Sequence, residues 1–164
     1  MISVILIISF LLDGILSNYF SLDGIFIPLF SLIGLVISYG YFKYDNSKFY
    51  IIGFVLGLCY DLIYTDTFVF YASLFLFISF IIVKISKVLA SNYLNLIIVS
   101  VICIVLFRII TYILLVITGN VVFNFDSLYR GIYSSIVINV IYGFIVKFIC
   151  NHIVAFKKKR KRFY

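Results

Sequence analysis

Three ionisable side chains, Asp13, Asp61 and Arg108, sit inside runs of residues otherwise fit for lipid. A charge in such a place needs a partner, and it can hold an ion, relay a proton or seat a neighbouring helix. Catalysis has little else to work with. All 6 acidic residues are Asp, and the 1 His, His152, stands close to a basic terminus. Asp61 and Asp66 are five positions apart and do not share a helix face. A carboxylate pair, a His-based triad, a metal-ligand set and a Gly-rich phosphate loop are absent from the sequence. The 3 cysteines, Cys59, Cys103 and Cys150, stand singly in different apolar runs with no CxxC, which reads as small buried thiols. No enzymatic activity, metal or cofactor is expected.

The elements that position these residues are membrane helices. Hydrophobic residues fill 65% of the 164 positions and the mean hydropathy is +1.26. Charged residues fill 12%, far below the roughly 25% of a soluble domain. A backbone in lipid must satisfy its own hydrogen bonds, so one all-α bundle is expected. Residues 1–156 form a single six-helix membrane domain and residues 157–164 a basic cytoplasmic tail. The opening run MISVILIISFLLDGIL has no Lys or Arg before it and no small-x-small cleavage site after it, so it reads as an uncleaved first helix.

Six spans are expected, over residues 2–19, 24–41, 50–64, 68–83, 94–118 and 131–153. In the first, Ser9, Asp13 and Ser17 form one helical stripe, so Asp13 faces other helices or a watery cavity. The second is opened by Asp23 and by Pro28, which a helix tolerates in its first turn, and carries a small-residue face of Ser31, Gly34 and Ser38. The third and fourth are short, with a tight turn at Thr65-Asp66-Thr67 between them, and read as two spans or a re-entrant hairpin. Residues 84–96 read as a helix on the membrane surface or as the fourth helix running on. The sixth span repeats Gly131, Ser135, Asn139, Gly143 and Lys147 on one face, which should pack inward.

Positive charge decides the threading. Lys43 and Lys48 lie in the second link, Lys84 and Lys87 in the fourth, and Lys157, Lys158, Lys159, Arg160, Lys161 and Arg162 in the tail. The first and third links have no Lys or Arg, and the fifth has Arg130 alone. This alternation predicts six spans with both termini cytoplasmic, and it disfavours the hairpin. Asp13, Asp61 and Arg108 then overlap in depth in the outer half of the bundle. Arg at a helix centre costs roughly 2.5 to 3.5 kcal/mol on insertion scales. A bond from Arg108 to Asp13 or Asp61 is therefore expected, Asp13 being slightly preferred on depth, with Asn139 in the same intramembrane polar network. The tail directly follows a membrane helix, so it is expected to bind anionic lipid and fix topology rather than meet nucleic acid, at up to about 1 kcal/mol per basic residue.

The stretch GFVLGLCYDLIYTDTF, residues 53–68, places Gly53, Gly57 and Asp61 on one helix face. The bare side lets a second helix approach closely. Here the chain resembles the MreD family of bacterial rod-shape determination. The resemblance runs from Pro28, through Gly57-Leu58-Cys59-Tyr60-Asp61 in the place of the family's GLLxD-type signature, to the turn Ile63-Tyr64-Thr65-Asp66-Thr67. Many members carry a glycine after this turn, where this chain has Val69, Phe70 and Tyr71. Beyond the fourth span the likeness is one of hydropathy, size and a short basic end.

The resemblance implies a non-enzymatic scaffold of the cell-elongation machinery in the bacterial plasma membrane. It implies docking to MreC, and through it to MreB, RodA and a class B penicillin-binding protein. It also implies a fold similar to the substrate-binding components of energy-coupling-factor vitamin transporters. A substrate-binding subunit of such a transporter is thus the rival reading.

Overall fold

The computed structural model describes residues 2–20, 28–42, 44–65, 67–88 and 93–160. Among them are six α-helices and no strand: α1 (Ile2–Phe20), α2 (Phe30–Phe42), α3 (Asn46–Ile63), α4 (Phe70–Val88), α5 (Tyr93–Ile117) and α6 (Phe125–Arg160). Four stretches, Asn46–Ile63, Phe70–Lys87, Leu94–Ile117 and Phe125–Ile153, are long and apolar enough to cross a membrane. The protein is accordingly a membrane protein built of helices. Ile2–Ser17 and Phe30–Phe42 are shorter apolar helices.

The second helix departs most from expectation. With 13 residues at about 1.5 Å each it is about 20 Å long, short of a hydrocarbon core of about 30 Å. It begins at Phe30, so Pro28 stands just ahead of the helix rather than in its first turn. Every residue from Phe30 to Tyr39 is buried, and α2 touches each of the other five helices. Its apolar residues run all the way round its buried part, Phe30 to Tyr39, broken only by small Ser31, Gly34 and Ser38. A Cβ on Gly34 would lie 2.6 Å from Ser9 Oγ of α1. Leu32, Ile33 and Leu35 are completely buried, and the core continues through Phe49, Phe75, Ile78 and Ile104 of the surrounding helices.

α3 and α4 are longer than expected, at 18 and 19 residues. α3 gains its first turn because Asp45 caps it, accepting from Lys48 N at 3.2 Å while Lys48 Nζ lies 2.7 Å from Asp45 Oδ2. α4 runs on to Val88, so the start of the 84–96 segment continues this helix; residues 89–92 lie outside the described set. At the other side, α5 closes on Gly119, whose φ of 75° brings Asn120 N to Leu115 O at 3.0 Å. α6 then starts at Phe125, ahead of the expected Gly131, and its 36 residues reach Arg160. Lys157, Lys158, Lys159 and Arg160 thus prolong the helix; Lys161 and Arg162 are outside the described residues.

Candidate functional site

A helix in lipid has a problem at its N-terminus, where the first N–H groups have no partner within the helix and no water nearby. Asp61 solves it for α4. Its Oδ1 accepts from Tyr71 N at 3.0 Å and from Thr67 Oγ1 at 2.6 Å, and its Oδ2 accepts from Ala72 N at 2.8 Å. The negative carboxylate also lies at the positive end of the helix dipole. Asp61 can reach this turn because the two backbones nearly touch. A Cβ on Gly57 would lie 2.5 Å from Ala72 Cα, and one on Gly53 would collide with Ser79 Oγ. Leu58 is half-buried. Asp66, in the middle of the turn, is outside the described residues.

Immediately before α4, Val69 has φ 62°, the left-handed conformation that a β-branched residue rarely adopts. The reversal needs this geometry because the chain must turn back within a few residues to bring Tyr71 N and Ala72 N onto Asp61.

Asp13 does the same work for α2 from a neighbouring helix. Its Oδ1 accepts from Phe30 N at 2.5 Å and its Oδ2 from Ser31 N at 2.8 Å, and it is 2% exposed. Asn139 of α6 joins it there, its Oδ1 accepting from Leu29 N at 2.8 Å while its Nδ2 donates to Ser135 O at 2.7 Å. Pro28, next in the chain, has no N–H to satisfy. The buried start of α2 is therefore held by α1 and α6.

Arg108 takes a different place from the one expected. Its Nε donates to Ser135 Oγ at 2.7 Å, and Ser135 Oγ in turn donates to Gly131 O at 2.8 Å. Among the described residues the ion pair at contact distance is Lys48 with Asp45, so the expected bond from Arg108 to Asp13 or Asp61 is not formed. The two carboxylates serve instead backbone N–H groups that have no other acceptor in a dry interior. The expected single network thus divides into one cap on α4, made by Asp61, and one on α2, made by Asp13 and Asn139, with Arg108 joined to α6 beside the latter.

Between α1 and the end of α3 lies a cavity of about 620 Å³. Asp13, Ser17, Tyr60, Tyr64, Thr65 and Tyr71 form its polar lining. Tyr64 ties its two walls together by donating its hydroxyl to Phe10 O at 2.6 Å. The tyrosines are the functional candidates that sequence reasoning missed. With 14 Tyr in the chain, no single one stands out by type. The available signal was spacing, since Tyr60 and Tyr64 recur at i and i+4 next to Asp61. The cysteines are free, Cys103 and Cys150 buried and Cys59 half-buried. His152 is exposed and stacks on Phe148 at 6.1 Å.

Compared with known proteins, the chain matches no family model, no curated protein and no solved structure.

Proposed function

We propose that the chain is a non-enzymatic membrane scaffold of the MreD type, acting in bacterial cell elongation. The observation that carries this reading is the joint task of the residues behind the resemblance. Gly53 and Gly57 bring α4 against α3, and Asp61 closes α4's first turn. A motif devoted to seating one helix on another suits a protein whose work is to present helices to partners. In this reading the chain lies in the bacterial plasma membrane with six spans and both termini cytoplasmic. Its basic end rests on anionic lipid. It docks to MreC, and MreB, RodA and a class B penicillin-binding protein belong to the same assembly.

The cavity beside Asp13 favours a second reading, a substrate-binding subunit of an energy-coupling-factor-type transporter. Affinity purification of the tagged full chain from its host membranes separates the two. Recovery with MreC is the expected result. Recovery instead with a pair of ATPases and a bound vitamin would replace the scaffold reading with the transporter.

A further inference from the structure

The cavity between α1 and the end of α3 is built as a binding site rather than left over between helices. At about 620 Å³ it falls in the range of about 300 to 1,000 Å³ typical of small-molecule pockets. One wall is aromatic. The Tyr60 ring lies 5.0 Å from that of Tyr64 at 73°, and 5.1 Å from that of Tyr71 at 37°. The same wall holds unused hydrogen-bonding capacity: among the described residues neither the Tyr60 nor the Tyr71 hydroxyl makes a hydrogen bond. Opposite them, each Asp13 oxygen accepts one backbone N–H and keeps a lone pair. The Tyr64 hydroxyl is already committed to Phe10 O, and a Cβ on Gly14 would meet the Tyr64 ring, so the walls are fixed in place.

We propose that this cleft binds a small, flat ring compound carrying N–H or O–H donors, its ring against Tyr60 and Tyr71 and its donors on Asp13. An acyl chain is a poor occupant, because it would leave the two tyrosine hydroxyls and the carboxylate lone pairs buried without partners. The proposal deepens the transporter-subunit reading, which the same cavity favours, and its test does not depend on recovery of an ATPase pair.

The test uses the purified full chain in nanodiscs of phosphatidylethanolamine and phosphatidylglycerol, probed by saturation-transfer difference NMR. The probes are adenine, cytosine and pyridoxine, with 6-dimethylamino-9-methylpurine as an adenine analogue that has no donor. Saturation transfer to at least one donor-bearing ring is expected, and none to the analogue. The Tyr60→Phe/Tyr71→Phe variant keeps both rings and the fold, which an unchanged thermal midpoint verifies, and it should weaken binding about tenfold. Silence from all three probes overturns the site. So does equal transfer to the donor-free analogue, or transfer undiminished in the double variant, because either result means partition into lipid.

Discussion

The α1–α2 and α3–α4 pairs use one device in two ways. In each, an aspartate on the first helix caps the N-terminus of the second: Asp13 holds Phe30 N and Ser31 N, and Asp61 holds Tyr71 N and Ala72 N. The α3–α4 pair is locally complete. Its acceptor, its Thr67 hydroxyl and its close-approach glycines all lie within residues 53–72. The α1–α2 pair needs Asn139, 110 positions further along, to satisfy Leu29 N. The difference follows from where each second helix begins. α4 starts beside a turn that supplies a hydroxyl, whereas α2 starts buried among other helices, where only a neighbouring side chain can serve. A cap made by tertiary contact lets a short helix stand inside the bundle.

The largest effect should come from breaking the tighter pair. Gly57→Val would drive a side chain into the α4 backbone, which cannot yield as a flexible side chain can. A loss of about 3 kcal/mol or more is expected, read as failure of the variant to accumulate or as early thermal unfolding in detergent. Gly131→Ala, where a Cβ meets nothing within 4 Å, is the control and should be tolerated.

Next come the caps. Asp13→Ala and Asp61→Ala each strand two backbone N–H groups and should cost about 2 to 4 kcal/mol. Coupling distinguishes them. Asn139→Ala should be non-additive with Asp13→Ala, because both serve the start of α2, and additive with Asp61→Ala. Additivity in both pairs, measured by equilibrium unfolding, would break the distinction between a shared cap and a local one.

A smaller change of opposite sign tests the turn before α4. Val69→Gly should raise stability by about 1 kcal/mol through relief of the left-handed strain. A lowered melting temperature in that variant would mean that the valine side chain contributes more by packing than its conformation costs.

The smallest effect concerns the exposed cap of α3. The hydrogen bond and charge of Lys48 hold the Asp45 carboxyl below its usual pKa of 3.8. A carboxylate with a depressed folded pKa contributes stability above its unfolded value and loses that contribution as pH falls through the folded value. Asp45→Ala should therefore be slightly less stable than the parent at neutral pH and indistinguishable from it once the carboxyl is protonated, in an acid titration of the thermal midpoint.

The sequence alone determined that the chain is helical and lives in a membrane, because composition and run length leave the backbone no other way to bury itself. It also placed Gly53, Gly57 and Asp61 on one face, since their spacing is a property of the helix itself. It set the middle of the inward face of α6 in the same way, where Ser135, Asn139 and Gly143 are buried, whereas Gly131 and Lys147 at its ends are only half-buried. Tertiary structure decided what each buried charge touches. Spacing says which way Asp13 points but not that the start of α2 will be waiting there, because that start is fixed by packing against five helices at once. The same holds for Arg108, whose partner Ser135 looked like one small residue in a stripe, and for the tyrosines, which line a cavity only once the end of α3 is brought to Phe10 of α1. Charge called for partners, and a dry interior gave the carboxylates to the backbone groups that had nowhere else to turn.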